Sequence, residues 1–225
     1  MKAALDHEVP RMYEFEAIVI LAAAFIIVYM IGGLRNRKLL VRYSRAIKKQ
    51  LQPKSEFIGF RPLGSSGLRV LCNMKKDMPL SKIEMAVSLV DRENVMHYPL
   101  ALVTKERDRV TIWATSKARP ALSFDICQKT ENPSKKRPAG LELKDHIIYQ
   151  EELTKHFNMA SSNEARATDV LRDQEFEGSL LRARDFLTYL LVDEAESRIF
   201  LTGELTEESL KLLLEVALAS ARGID

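Results

Sequence analysis

Three patterns of apolar and polar positions follow one another along this chain. Residues 17–34, AIVILAAAFIIVYMIGGL, hold no charged side chain, and apolar residues occupy every side of the helical wheel. As a helix this run rises about 27 Å, close to the roughly 30 Å hydrocarbon core of a bilayer. Tyr13 and Phe15 precede it and Tyr29 sits near its other end, as amphipathic rings do at bilayer interfaces. Residues 35–51 keep helical spacing but become amphipathic. Leu40, Tyr43, Ile47 and Leu51 recur with Arg and Lys between them, and Pro53 marks a stop. Beyond it the period changes to two. Residues 57–62 and 68–73 read as strands joined by the turn LGSSG at 63–67. Ile83, Met85, Val87 and Leu89 alternate with Lys82, Glu84, Ala86 and Ser88. Residues 100–104 and 109–114 predict another hairpin, around the charged turn KERD at 105–108, and Leu122, Phe124 and Ile126 alternate again. The expectation is an antiparallel sheet over 57–127 with Trp113 on one face.

A polar insert, QKTENPSKKRPAG at 128–140, interrupts the pattern. Its prolines and polar residues predict a solvated, mobile loop, and Lys135, Lys136 and Arg137 make it a candidate second cationic contact. Between 168 and 193, Val170, Leu171, Phe176, Leu180, Leu181, Phe186, Leu187 and Leu190 recur at three- and four-residue spacing. They predict one helix, broken near Gly178. Residues 198–201 read as a short strand ending at Gly203. Thr206 can cap a last helix, with Glu207 and Glu208 in its positive first turn. Leu210, Leu213, Leu214, Ala217 and Ala221 line its buried side and Gly223 closes it. The class is α+β: a tail at 1–16, a transmembrane helix at 17–34, a basic juxtamembrane helix at 35–54, and a domain at 55–225 whose sheet is covered by C-terminal helices, with a helix–strand–helix unit at 164–223.

Charge decides how the apolar run is read. A cleavable signal peptide carries positive charge before its apolar core, whereas Glu14 and Glu16 stand there instead. Ala22, Ala23 and Ala24 mimic a small-residue cleavage site, but apolar residues continue for two more turns. A soluble core helix is usually shorter and keeps a polar face. A permanent anchor fits best. The net charge of +3 hides a strong asymmetry. Only Lys2 and Arg11 precede the run, diluted by Asp6, Glu8, Glu14 and Glu16. After it come Arg35, Arg37, Lys38, Arg42, Arg45, Lys48, Lys49 and Lys54 with no acid until Glu56. The positive-inside bias therefore predicts a short N-terminus outside and the domain in the cytosol. These eight cations are either a plain stop-transfer flank or a stem that meets anionic lipid or RNA, where each can add about 1 kcal/mol.

Local motifs for catalysis are lacking. The GSSG at 64–67 opens into a strand without a following Lys-Ser/Thr, so it is a turn and not a phosphate loop. His7, His97, His146 and His156 lie far apart in the sequence and fit no metal spacing. No G-x-S-x-G elbow occurs. Cys72 and Cys127 read as small buried apolar residues on a reducing side of the membrane. The acid pairs at 151–152, 193–194 and 207–208 read as helix faces and caps. No cofactor, metal or DNA partner is expected, and the chain is read as a non-enzyme.

The order of elements carries a resemblance. One anchor and a basic stem are followed by strands holding LCNMKK (71–76) and IEMAVSLV (83–90). VTIWATSKA (110–118) ends in a small–basic–small turn. Then come an amphipathic helix with FLTYLL (186–191), the strand RIFLTGEL (198–205) and the closing helix ESLKLLLEVALASARGID (208–225). From residue 17 onward this resembles the calumin family, single-pass endoplasmic-reticulum proteins of the machinery that assists newly made multipass membrane proteins at the translocon. The resemblance implies a protein-binding accessory factor whose partners are membrane lipids, a translocon or other membrane-protein subunit, and the ribosome. It would sit in the plasma membrane of a prokaryote or the endoplasmic reticulum of a eukaryote. The family's acidic, calcium-linked luminal region and long basic coiled coil have no counterpart in this sequence, so calcium binding and the tail's ribosome contact are not carried over. Two other readings stay open: a tethered regulatory module of a channel or transporter, and a membrane-anchored enzyme.

Overall fold

The computed structural model of the chain describes residues 10–132, 137–138, 140–146, 148 and 150–222. Gly223, expected to close the last helix, lies outside them.

Helix α1 spans Pro10–Leu51 without a break, so the apolar run and the basic stem are one rod. Among the described residues it is the one helix long and apolar enough to cross a membrane. Its stem half packs into the domain through the expected periodicity. Tyr43, Ile47 and Leu51 are buried, and Leu40 packs against the same core. A 3-10 turn at Gln52–Lys54, with Pro53 inside it, ends the rod.

The sheet begins immediately afterwards. β1 (Ser55–Leu63) and β2 (Gly67–Met74) form the predicted hairpin. Gly64 in its turn sits at φ +69°, a conformation that a Cβ disfavours. β3 (Leu80–Ser88) and β4 (Arg109–Ser116) continue the antiparallel order. β5 (Phe124–Gln128), β6 (Lys144–His146), β7 (Phe157–Ser161), β8 (Leu187–Asp193) and β9 (Arg198–Glu204) complete a nine-stranded sheet of order β1-β2-β3-β4-β9-β8-β5-β7-β6. Its registers align one buried apolar row from Val70 through Met85, Ile112, Leu201, Leu190 and Ile126 to Met159. That row is the floor of the core. Over it lie the stem half of α1, α4 (Glu164–Arg172), α5 (Gln174–Ala183) and α6 (Glu207–Arg222). The five predicted core positions of α6 are all buried. Thr206 caps it, its hydroxyl accepting from Ser209 N at 2.9 Å while the Ser209 hydroxyl accepts from Thr206 N at 2.7 Å.

Two expectations need correction. Residues 100–104 do not form a strand; they belong to α2 (His97–Val103), preceded by Asn94, whose side chain accepts from the backbone N–H groups of Met96 and His97, each at 3.1 Å. The predicted long helix at 168–193 is two helices and a strand. Its break lies at Asp173, whose carboxylate accepts from Phe176 N at 2.7 Å, and not at Gly178. FLTYLL is mostly β8. Tyr189, Leu190, Leu191 and Val192 are all buried because this part of the sheet is covered on both faces, so no period-two signal survives. β6, α3 (Glu151–His156) and β7 fall in a stretch where the pattern predicted no element.

The cover on the second face comes from the segment after β5. Leu141, Leu143 and Phe200 pack on Cys127, Tyr189 and Leu191. Both cysteines are buried, and neither is in a disulfide. Arg137 reaches the buried Asp125, with Nε 2.5 Å from Oδ2 and Nη2 3.1 Å from Oδ1, and Tyr189 donates to the same carboxylate at 3.2 Å. Burial, then the Asp125 charge, pushes the Tyr189 phenol far above its ordinary value.

Candidate functional site

The basic stem is half of a helix whose other half is core. At about 100° per residue, Asn36, Leu40, Tyr43, Ile47 and Leu51 fall on one side of α1. Arg35, Lys38, Arg42, Arg45 and Lys49 fall on the opposite side, with Arg37 and Lys48 beside them; all seven are exposed. The same packing that buries the apolar stripe therefore fixes the direction of the cations. Arg37, Lys38, Arg42, Arg45 and Lys49 line an open groove of about 620 Å³, with Val41, Ala46 and Glu207 of α6. Arg42 pairs with Glu207, which holds the Glu207 carboxyl below and the Arg42 guanidinium above their ordinary ranges. Both are well exposed, so the pair adds little to stability. Among the described residues, none of Arg35, Arg37, Lys38, Arg45, Lys48 and Lys49 has an acid partner, and Lys54 has none in the turn beyond.

The junction of rod and domain is held by a second group that sequence reasoning missed. Asn36 is fully buried, donating to Val90 O at 3.2 Å and accepting from Arg92 Nη1 at 3.0 Å. Arg92 bridges on to Asp108 at 3.0 Å, and Asp108 accepts from Val90 N at 2.8 Å. Gly32 lies one turn nearer the apolar half, and a Cβ there would stand 2.1 Å from the Arg92 carbonyl oxygen. Its lack of a side chain permits close approach of the loop. One signal was present: an Asn in an otherwise basic–apolar helix, one turn after a Gly-Gly pair.

The third element is the uncovered part of the second sheet face. Leu71, Glu84, Trp113 and Phe200 stand in register across β2, β3, β4 and β9. Trp113 is 41% exposed and its ring lies 5.9 Å from that of Phe200. Arg69 and Lys82 both bond Glu84, at 2.7 and 2.6 Å, and lower its carboxyl from the ordinary range. With Leu63, Ala86, Thr115 and Arg198 these side chains border a shallow depression of about 440 Å³. Trp113, expected on one face of the sheet, lies on the open one.

Of the second cationic cluster, Arg137 alone lies among the described residues. Arg137 is turned inward onto Asp125 and also meets Asp145 at 3.3 Å; Lys135 and Lys136 lie outside the described residues. Of the histidines, His97 faces Glu106 at 3.3 Å and His146 faces Glu164 at 3.6 Å, while His156 contacts the Phe157 ring. Among the described residues no three His, Cys, Asp or Glu side chains group as metal ligands.

Comparison with known proteins adds little. No family model matches the chain, and no curated protein does. Among solved structures it is similar to the mycobacterial trehalose monomycolate transport factor A, at 9% identity and a TM-score of 0.34, over 75% of this chain and 69% of that one. A likeness at that level carries no argument about function. What the chain itself defines is an α+β protein with one helix apolar enough to span a membrane.

Proposed function

We propose that this chain is a non-enzymatic, single-pass membrane accessory factor that assists the insertion or folding of multipass membrane proteins at the translocon. In this reading the N-terminus is outside and the domain is cytosolic, following the cations after the span. The observation that carries the reading is the unbroken passage of α1 from its apolar half into the domain core, with exposed cations that have no acid partner among the described residues on its outer side. A helix that crosses the bilayer and continues straight cannot also lie on the bilayer surface. Arg35, Arg37 and Lys38 stand within about 6 Å of the end of the apolar run, at head-group height, while Lys49 stands about 22 Å beyond it. Charges are screened over roughly 8 Å at physiological ionic strength. The outer cations therefore suit a partner that rises from the membrane, such as ribosomal RNA or an acidic protein surface. The open sheet face around Trp113 is the platform for a translocon subunit. The resemblance of the element order to the calumin family supports the same assignment.

A photocrosslinker placed at Arg45 or Lys49 in intact membranes tests it. Adducts with translocon subunits, ribosomal components or nascent multipass proteins are expected, and lipid adducts alone would contradict the reading. One dominant channel or transporter partner, with unchanged multipass protein yield on deletion, would establish a regulatory module instead.

A further inference from the structure

We infer that the α2 segment is a second membrane contact: Met96, Leu100, Leu102 and Val103 insert into the lipid leaflet beside the span. This rests on α1 crossing the bilayer, and is independent of the accessory-factor reading and of which side the domain occupies.

Depth comes first. Glu16 and Arg35 bracket the charge-free run, which has no spare length to slide along the bilayer normal. Val28 therefore lies about 9 Å inside the end of that run. The loop that leaves β3 does not stop at the stem. It passes Asn36, packs its backbone on Gly32 and borders, with Val95, Tyr98 and Pro99, a cavity of about 330 Å³ whose other wall is Val28, Ile31, Gly32 and Arg35. The folded domain thus reaches alongside residues of the apolar run itself. Amphipathic segments at an interface bury their apolar side about 5–10 Å deep, the same range.

Polarity comes second. Met96 is 82% exposed and Val103 80%, with Leu100 and Leu102 well over half exposed. Ala101 is the buried member of the helix. A short helix that turns its smallest apolar residue to the protein and its larger ones outward is inverted for water and correct for lipid. The exposed set is continuous with the exposed apolar surface of α1 through Tyr98 and Pro99. Polar residues close both ends of the segment. Asn94 caps its start, His97 meets Glu106 at 3.3 Å, exposed Lys105 follows its end, and Arg107 pairs with Glu204 at 2.6 Å at the return to β4. The lipid-facing set therefore sits on a segment locked to the domain by Arg92 and Asp108.

The test uses the full chain in vesicles of phosphatidylcholine and phosphatidylglycerol. Its own cysteines are buried, so a single added thiol carries the environment-sensitive fluorophore. Met96→Cys and Val103→Cys replace exposed side chains and leave the core intact; Lys211→Cys on α6 is the aqueous control. At 96 and 103 the emission should shift to the blue, with nitroxide-bearing acyl chains quenching several-fold more than aqueous iodide, and the order should reverse at 211. Iodide quenching at 96 and 103 equal to that at 211 would overturn the inference, including the case in which a protein partner covers this surface in the cell.

Discussion

Replacing Arg137 with alanine is expected to destabilise the domain by about 3–5 kcal/mol, because it strands a charge inside the protein. Asp125 is 1% exposed and lies on the sheet face that the segment after β5 covers. Its carboxylate accepts from Arg137 and from Tyr189, so loss of the guanidinium removes its counter-charge. The pair itself need not be strongly stabilising, since burying two charges costs about as much as their attraction returns. A matched variant separates these statements. Asp125→Leu, Arg137→Met and Tyr189→Phe together remove the buried carboxylate and both side chains that bond it, leaving the exposed Asp145, and should recover most of the loss. Chemical unfolding of single and triple variants reads both. A change below about 1 kcal/mol for Arg137→Ala would mean that Asp125 is hydrated.

The second large effect is expected at Gly32, and its neighbour supplies the control. In Gly32→Ala the new Cβ would stand 2.1 Å from the Arg92 carbonyl oxygen and 2.9 Å from Glu93 N, both backbone atoms. Overpacking of this kind costs about 1–3 kcal/mol. Separation of the loop would also expose Asn36 and break its bonds to Val90 and Arg92. In Gly33→Ala the nearest atom is the Glu93 side-chain Cδ at 3.4 Å, an ordinary and movable contact. That change should be neutral or stabilising by up to about 1 kcal/mol through helix propensity. Trypsin cleavage at Arg92 in reconstituted protein should rise for Gly32→Ala and stay at the parent rate for Gly33→Ala. Equal behaviour of the two would mean that the Gly-Gly pair serves the helix and not the contact.

Much of the fold was legible where burial is one-sided. β2 and β3 alternate cleanly because one face meets the core and the other is open, and α6 shows its stripe because its other side is solvated. The stem was legible for the same reason: Leu40, Tyr43, Ile47 and Leu51 face protein while the cations do not. Where both faces are covered, as along Tyr189–Val192, an apolar run reads equally as helix or strand, and it was assigned to the wrong one. α2 misled in the opposite way. Leu100, Leu102 and Val103 are apolar without being in the core, so a rule that sends apolar residues inward made a strand of them. Of the candidate site, the cations and Trp113 were visible as residue types in a pattern. The Asn36–Arg92–Asp108 junction was not, since it joins positions far apart in sequence whose side chains have no periodic signature.

That junction and the buried stripe of the stem tie the long helix to the domain and are expected to make them one rigid piece, the continuity on which the proposed function depends. Spin labels at Ile20, near the N-terminal end of the span, and at Lys211, on the outer side of α6, measure it in lipid nanodiscs by dipolar spectroscopy. One narrow distance distribution, unchanged on removal of anionic lipid, is the expected result. A broad or bimodal distribution would show a hinge between rod and domain, and would contradict the account.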